Sequence, residues 1–334
     1  MGKIQGEIVT QLLKKFPKAG SLTIAKIAIR DNPGVFANLD RARWLVRYYR
    51  GAAGQKIKTL GRKEFLRPKS KPGDPFGKIP DGLSPFGKPW APLLIDGPVN
   101  ALVLSDIHFP YHDKSSLVTV LKYGKVNGAD LVLLNGDTID CYAISKWEKD
   151  PRRRRFKEEL EIGREFLRTV REMFPRARII FKLGNHEERF ESYMRCRAPE
   201  LIGIKDFELH RLLRFRKHGV TQVKDKRPIR LGQLNVLHGH EYRFAISNPV
   251  NAARGLFLRC KAYALCGHFH QRSEHTEKTV EQKQVATWST GCLCQLHQDY
   301  APLNNWTHGA AFVRVEKGGK FEVKNLFISN GRVF

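Results

Sequence analysis

The sequence predicts an α/β fold with a two-sheet core and helices outside it, and two observations support this prediction. From residue 99 onward, apolar runs of strand length alternate with helical patterns. Nearer the carboxyl end, AAFVRVEKGGKFEVKNLFI alternates on both sides of a Gly-Gly turn and indicates a hairpin. Before residue 99 the pattern is first helical and then rich in proline. We therefore expect a helical module over residues 1–51, a linker over 52–98 and a main domain over 99–334.

The composition indicates a large domain with an anionic partner. With 334 residues, 41% of them hydrophobic, the chain can bury a sizeable core in one large domain beside a smaller one. Its formal net charge of +26 predicts a polyanionic partner, nucleic acid first and an anionic membrane surface second. No run resembles a signal peptide or a membrane span, so we expect a cytoplasmic protein without membrane association. Six scattered cysteines without zinc-finger spacing are typical of reduced thiols.

Three short amphipathic patterns fill residues 5–50. GEIVTQLLKKF and SLTIAKIAIRD have apolar residues at helical spacing, and prolines and glycines separate the patterns. The third pattern, DRARWLVRYYRG, opens after Asn38 or Asp40 and places Trp44, Leu45 and Tyr48 on its inward stripe. Its arginines are left for other faces: Arg41, Arg43, Arg47 and Arg50.

Two interpretations of this module remain open. Three short helices with a basic last helix resemble a helix-turn-helix module, in which these arginines would contact the phosphates and base edges of DNA. The alternative is a packing or oligomerisation unit with a solvated basic face. The charge of the third helix favours nucleic-acid binding.

Residues 52–98 differ in composition from the rest of the chain. They hold eight of the 17 prolines and few apolar runs, which predicts an extended linker. Residues 1–98 carry 19 Lys and Arg against 7 Asp and Glu, a net charge of +12 out of +26. A basic, semi-rigid tether of this kind would hold a long anion near a catalytic domain; the alternative is a solvated linker without a role in binding.

In the main domain, five apolar runs end in residues of the types that commonly bind metals. The runs are ALVLSDIH, DLVLLNGD, RIIFKLGNHE, LNVLHGH and AYALCGHFH. The side chains at their carboxyl ends are Asp106, His108, Asp137, Asn185, His186, His238, His240, His268 and His270. One such histidine alone would more often have a structural role. Because active sites of open α/β sheets lie at the carboxyl ends of strands, five such clusters predict one shared metal site.

The residue types indicate the chemistry of this site. Asp, Asn and His form a mixed hard and borderline ligand set without cysteine, which favours Mn, Fe or Zn in a catalytic site over a structural zinc. Two metals about 4 Å apart need a bridging carboxylate, terminal ligands and a position for water. A bridging water loses its proton readily and attacks phosphorus in line, while the cations neutralise charge on the phosphoryl oxygens.

The ordered motifs Asp-x-His, Gly-Asp-x-x-Asp, Gly-Asn-His-Glu, His-Gly-His and Gly-His-x-His resemble the signature of the calcineurin-like metallophosphoesterase superfamily, over residues 100–330. The resemblance implies a four-layer αββα sandwich of two mixed sheets with a dinuclear centre between the strand ends. It also implies two divalent metal ions as cofactors, with Mn favoured and Fe or Zn as alternatives. A helix-turn-helix front end joined to such a domain is similar to an arrangement in phage and prophage proteins.

The resemblance assigns a role to each matched position. The first metal would be held by Asp106, His108 and His270, and the second by Asn185, His238 and His268. Asp137 would bridge the two metals. His186 resembles the acid or leaving-group residue of the family, oriented by a carboxylate such as Asp140 or Glu187.

One position departs from the pattern of the protein Ser/Thr phosphatases in this superfamily. Those enzymes carry an arginine directly after the Gly-Asp-x-x-Asp carboxylate, where this chain has Cys141. A nearby arginine block could grip phosphate from a different loop, or it could be a solvated surface: Arg152, Arg153, Arg154 and Arg155. The missing arginine argues against a protein phosphatase.

Three hypotheses of function follow. The first is a metal-dependent phosphodiesterase or nuclease acting on nucleic acid. The second is a phosphomonoesterase for a phosphoprotein or a nucleotide, in which the positive charge serves solubility or scaffolding. The third is a nucleic-acid-binding protein with a vestigial metal domain. The metal signature together with the net charge of +26 favours the first.

Overall fold

The computed structural model describes residues 2–51, 82, 90–147, 150, 155–242, 250–298 and 301–334. The chain divides into two compact units, Met1–Pro85 and Phe86–Phe334. Most of the predicted linker lies outside the described residues. Among the helices of the described ranges, none is both long and apolar enough to cross a membrane.

The first unit contains the three predicted helices, α1 (Gly2–Lys15), α2 (Ser21–Asp31) and α3 (Leu39–Tyr49). Their apolar sides meet in one small core, which includes Val9, Leu13, Ile24 and Val46. The start of α3 is fixed by Asn38, whose side chain accepts a hydrogen bond from the Arg41 amide. Such a cap satisfies one of the free N–H groups of the first helical turn.

The prediction that Trp44 faces inward is wrong. Trp44 is 41% exposed, and its ring stacks on Tyr48 with the ring centroids 5.3 Å apart. The Arg41 guanidinium lies 4.9 Å from the Trp44 ring centroid. The buried stripe of α3 is instead Ala42, Leu45 and Val46. This shift of one position along a helix turns the tryptophan to the surface.

The prediction that Arg50 contacts nucleic acid is also wrong. Arg50 is 5% exposed, and its guanidinium donates hydrogen bonds to the Ala19 carbonyl and the Ser21 hydroxyl. These bonds tie the end of α3 to the start of α2. The three other arginines predicted on this helix are exposed: Arg41, Arg43 and Arg47.

The second unit is built on two mixed sheets. In chain order its elements are β1 (Leu93–Ile95), β2 (Val99–Leu104), α4 (Lys114–Val126), β3 (Leu131–Asn135), α5 (Phe156–Met173), β4 (Arg178–Lys182), α6 (Asn185–Arg197), α7 (Leu209–Leu212), α8 (Phe215–His218), β5 (Val220–Val223), β6 (Ile229–Leu231), β7 (Leu234–Val236), α9 (Ala252–Cys260), β8 (Ala264–Cys266), β9 (Ser273–Lys278), β10 (Gln284–Ser289), β11 (Gly309–Val315), β12 (Phe321–Ser329) and β13 (Arg332–Val333). One sheet has the order β13-β12-β11-β2-β3-β4-β5, and the other β1-β6-β7-β8-β10-β9.

The buried side chains form the layers of the predicted αββα sandwich. Between the sheets, Val103 and Leu133 of the first sheet share a core with Leu231 and Leu265 of the second. Helices α4 and α5 cover the other face of the first sheet, and α9 covers the second. Because β3 is buried along its whole length, it reads as the continuous apolar run LVLLN. The predicted fold class is confirmed.

The strand directions bring distant loops together. Strands β2, β3 and β4 run parallel in register, so their following loops leave at the same edge of the sheet. Strands β7 and β8 are parallel in the second sheet. The boundary predicted at residue 98 differs from the structure, because β1 pairs with β6 and lies inside the second unit.

A buried ion pair joins the two sheets. Lys182, at the end of β4, is 1% exposed, and its Nζ lies 2.8 Å from Glu241 Oε1 in the loop after β7. The other donors to Glu241 are the backbone N–H groups of His238 and Gly239. Burial raises the pKa of Glu241, but the nearby positive charge, foremost the Lys182 ammonium, outweighs burial and lowers the pKa to about 2. The carboxylate is therefore held ionised inside the fold.

We expect Lys182→Met to lower the free energy of unfolding by about 3 kcal/mol, because it leaves the Glu241 carboxylate buried without its cation. Denaturant unfolding of the full chain measures this change. Lys122→Met, at an exposed position of α4, is the matched control and should change stability by less than about 0.5 kcal/mol. Equal stability of the two variants would show that the pair does not hold the sheets together.

Candidate metal centre

The first group of predicted ligands comes from the loops after β2 and β8. His270 Nε2 lies 3.2 Å from both Asp106 Oδ1 and His108 Nε2. Asp106 is fully buried; His270 Nε2 lies close to its Oδ1 but outside hydrogen-bond geometry, so within the described ranges no hydrogen bond satisfies this oxygen. A buried carboxylate oxygen in this state is unfavourable unless a cation satisfies it. Cys294 Sγ lies 3.9 Å from His270 Nδ1, and one ligand atom each of His108, His270 and Cys294 lies within 4.8 Å of the others.

The second group comes from the loops after β3, β4, β7 and β8. His238 Nε2 lies 3.2 Å from Asp137 Oδ2 and 3.2 Å from Asn185 Oδ1. His268 completes the group, because one ligand atom each of Asp137, His238 and His268 lie within 4.8 Å of one another. This donor set of carboxylate, amide and imidazole suits a divalent metal of intermediate hardness.

Asp137 lies between the two groups. Its Oδ2 is 3.2 Å from His238 Nε2 on one side and 3.8 Å from His108 Nε2 on the other. The structure therefore brings all seven predicted ligands together, with Asp137 in the position of a bridging carboxylate. The residues present fit two divalent cations.

The backbone is strained where it presents these ligands. Five of the seven have a positive φ, which non-glycine residues rarely adopt: Asp106 57°, His108 53°, Asp137 52°, His268 70° and His270 58°. Glycines leave room beside them, since a Cβ on Gly184 or Gly267 would overlap the Asp137 or Asp106 carboxylate. Such strain collects at functional sites, where the surrounding structure over-determines the conformation.

Hydrogen bonds on the far side of two imidazoles orient them toward the centre. His238 Nδ1 donates to the Asn135 carbonyl at 2.8 Å, and His108 Nδ1 donates to Asp140 Oδ1 at 3.0 Å. Because Nδ1 of each ring donates away from the centre, Nε2 is the nitrogen left to bind a metal. Burial lowers the pKa of His108, which keeps this imidazole neutral and able to bind a cation.

The Glu187 carboxylate binds backbone amides of the loops and does not orient His186. Its Oε1 accepts hydrogen bonds from the Thr138 and Ile139 amides, and its Oε2 accepts from the Asp137 and Gly184 amides, all at 2.7 to 3.1 Å. Burial and the nearby Asp137 raise the pKa of Glu187 to about 7, while the backbone donors oppose this rise. The carboxylate thus clamps the β3 loop to the start of α6, and the suggestion that it orients His186 is not supported by a contact.

The sequence model of the calcineurin-like phosphoesterase family matches residues 99–272, more than half of the chain. The chain belongs to this family. It is therefore a metal-dependent phosphoric ester hydrolase.

Two phage proteins are similar to this phosphoesterase. The Gene 54 protein of Mycobacterium phage L5 is 25% identical over 229 residues, which cover 64% of this chain and 88% of the phage protein. The Gene 54 protein of Mycobacterium phage D29 is 26% identical over the same shares. Their names state no activity.

Solved structures were also found to be similar. Vacuolar Protein Sorting 29 from Cryptosporidium parvum is 13% identical with a TM-score of 0.38, covering 71% of this chain and 94% of that chain. Yfce, a phosphoesterase from E. coli, is 13% identical with a TM-score of 0.32, covering 69% and 100%. The family assignment rests on the family model and not on these two structures.

His186 lies beside the centre of the phosphoesterase. Its Nδ1 is 2.9 Å from Asp140 Oδ1, and its Nε2 is 3.7 Å from Asp137 Oδ2. Burial lowers the pKa of His186, but the carboxylates of Asp137 and Asp140 outweigh it and raise the pKa above its ordinary value. An imidazole in this environment readily takes a second proton, as a general acid must.

Arg189 is a residue of the site that was not predicted from the sequence. This residue of α6 donates from Nη1 to the Asp140 carbonyl at 3.0 Å and from Nη2 to His186 Nε2 at 2.9 Å. It supplies a guanidinium near the centre, which the buried Cys141 does not. The signal available in the sequence was its spacing of four residues from Asn185, which places both side chains on one face of a helix.

The other residues predicted near the site, the arginine block and His240, do not lie at the metal centre in the described ranges. Arg155 is described as an exposed residue directly before α5, whereas residues 152–154 lie outside the described ranges. His240 does not face the metal position; its Nε2 lies 3.1 Å from Glu188 Oε1. The exposed arginines of α3 belong to the first unit.

We expect the purified phosphoesterase to bind two divalent ions per chain, and Asp137→Asn to bind at most one, because the substitution removes the shared carboxylate charge. Metal content after removal of loosely bound ions measures this difference. Asp96→Asn, at an exposed position before β2, should retain two ions. Two ions in Asp137→Asn would contradict the bridging role.

We expect Arg189→Met to lower the turnover of bis(p-nitrophenyl) phosphate by about 100-fold, because a preorganised donor to the phosphoryl charge is lost. The control Arg168→Met removes an exposed arginine of α5 and should leave turnover within about twofold. A similar turnover in both variants would limit Arg189 to holding the loop around Asp140.

Proposed function

We propose that this phosphoesterase is a phosphodiesterase that cleaves nucleic acid. The observation that carries the proposal is the combination of a dinuclear ligand set with a formal net charge of +26. A phosphodiester backbone is a polyanion whose binding releases counterions, so a strongly basic chain gains affinity for it without sequence recognition. A small phosphomonoester gains little from positive charge spread over a whole protein.

Divalent cations, when bound by the seven ligands, would supply an activated water and neutralise charge on the phosphoryl oxygens. We propose Mn for this role, with Fe or Zn as alternatives, because carboxylate, amide and imidazole are the donors. The residues of the chain itself would orient the phosphate and supply a proton to the leaving oxygen.

His186 and Arg189 would divide these tasks. In the structure the guanidinium donates to His186 Nε2, so the single imidazole proton lies on Nδ1, beside Asp140. An anionic phosphate oxygen competes with His186 for the guanidinium, and its binding would free Nε2. The nearby carboxylates then favour protonation of Nε2 by a proton from solvent, and Nε2 would give this proton to the leaving oxygen. Substrate binding would thus bring His186 into the protonated state in which it can act as the general acid.

The first unit would add affinity for nucleic acid. Its helix α3 presents Arg41, Arg43 and Arg47 to solvent, beside the exposed ring of Trp44. Exposed cations interleaved with aromatic rings are typical of surfaces that bind phosphates and bases. The helix-turn-helix interpretation remains a proposal on these grounds.

The proposal is tested with His186→Ala on two substrates. We expect cleavage of an oligonucleotide to fall by about 10²- to 10⁴-fold, because its poor leaving group needs a proton. Hydrolysis of bis(p-nitrophenyl) phosphate should fall far less, because p-nitrophenolate leaves without one. His210→Ala, a partly exposed residue of α7, is the control and should match the unsubstituted chain on both substrates.

The outcomes separate the hypotheses of function. Cleavage of the oligonucleotide by the unsubstituted chain should require Mn and decrease steeply with salt. A marked preference for p-nitrophenyl phosphate over the diester would favour the phosphomonoesterase. If His186→Ala loses activity equally on both substrates, His186 is not the general acid, but the assignment as a phosphodiesterase stands.

A further inference from the structure

A basic groove leads away from the metal centre along α6. This cavity, the α6 groove, has a volume of about 1010 Å³ and includes the ligand Asn185 in its lining. Nine residues of α6 line it between positions 185 and 197, and those at 185, 188, 189, 192 and 196 have the spacing of one helix face. The groove therefore follows α6 for about 18 Å, at 1.5 Å per residue. A polymer whose phosphate lies at the metal centre would continue along this face.

The charge of the groove favours an anion. Among its described lining residues, six are Lys or Arg and three are Asp or Glu. Two of the acids are already engaged, since Glu188 Oε2 lies 3.6 Å from Lys226 Nζ and Glu191 Oε2 lies 3.0 Å from Arg195 Nη2. The positive excess belongs to the remaining cations of the lining: Lys146, Arg189, Arg197 and Lys224.

Two exposed aromatic rings distinguish this groove from a simple phosphate site. Trp147 is 63% exposed and Tyr193 is 40% exposed, and both line the groove. The Lys146 ammonium lies 5.1 Å from the Trp147 ring centroid, so a cation and a stacking surface adjoin. Proteins that bind single strands combine these two elements, in which cations follow the phosphates and rings stack on unpaired bases.

We propose that the α6 groove binds a single-stranded segment of nucleic acid beside the scissile phosphate. Bases stack on Trp147 and Tyr193, and phosphates contact Lys146, Arg197 and Lys224. Duplex bases are stacked on each other and cannot reach the rings, so the groove prefers unpaired strands. This inference rests on the proposed function and adds the substrate class to it. A phosphopeptide would use the cations but leave both rings unused.

The test compares Trp147→Ala/Tyr193→Ala with Trp147→Phe/Tyr193→Phe, which keeps both rings. Fluorescence anisotropy measures the affinity of the full chain for a labelled single-stranded oligonucleotide and for its duplex. Because loss of one stacked base weakens binding about tenfold, the alanine variant should bind the single strand about 100-fold more weakly. The phenylalanine variant should stay within about fivefold of the unsubstituted chain. Titrations at about 0.2 M salt reduce the phosphate binding of exposed arginines elsewhere in the chain.

The outcomes keep this inference apart from the proposed function. The groove assignment is overturned if the alanine and phenylalanine variants bind the single strand with equal affinity, whether or not that affinity is reduced. It is also overturned if the unsubstituted chain binds the duplex more tightly than the single strand. Tighter binding of a phosphopeptide overturns the choice of ligand. Cleavage of the oligonucleotide by the unsubstituted chain is scored separately, so a chain that cleaves while the variants bind alike refutes the groove alone.

Discussion

The burial of two aspartates at adjacent strand ends is the constraint on which the rest of the structure depends. Asp106 is 0% exposed and Asp137 is 1% exposed, and both carboxylates lie within 4.0 Å of His108 Nε2. Two carboxylates removed from water are stable only with positive charge beside them. Burial lowers the pKa of His238 and His270, yet these carboxylates raise the two values to about 10 and about 8. The same demand for positive charge makes the centre a place for divalent cations.

The surrounding fold stabilises the ligand loops although their backbone is strained. Left-handed backbone at five ligand positions is unfavourable by about 1 kcal/mol or more for each residue. The clamp of Glu187 on four amides holds the β3 loop against α6, and Lys182 with Glu241 holds the β7 loop to the other sheet. Because these supports lie at sheet edges and helix starts, the ligands keep their positions while the surface around them is free to differ. That surface, with Arg189 and the α6 groove, is where we place substrate recognition.

This geometry separates the proposed chemistry, at the metal centre, from the proposed selection of the substrate, outside it. The centre would act on any phosphate ester that reaches it, since its ligands contact no other part of a substrate. Selection for nucleic acid would come from charge and aromatic rings outside the centre, in the α6 groove and on α3. Electrostatic attraction of this kind weakens with salt, whereas base stacking depends on it less.

The sequence by itself determined the fold class, the helix α2, the final hairpin and the ordered set of metal ligands, because each depends on local spacing or on a motif of a few residues. Only the tertiary structure decided which distant polar groups meet: Glu187 with the Thr138 amide, Arg189 with the Asp140 carbonyl, and Arg50 with the Ser21 hydroxyl. It also turned Trp44 outward and made a strand of Leu93–Ile95. The reason is physical. Periodicity leaves a helix face uncertain by one position, and a contact between residues 29 to 49 positions apart depends on how loops close, which no short pattern encodes.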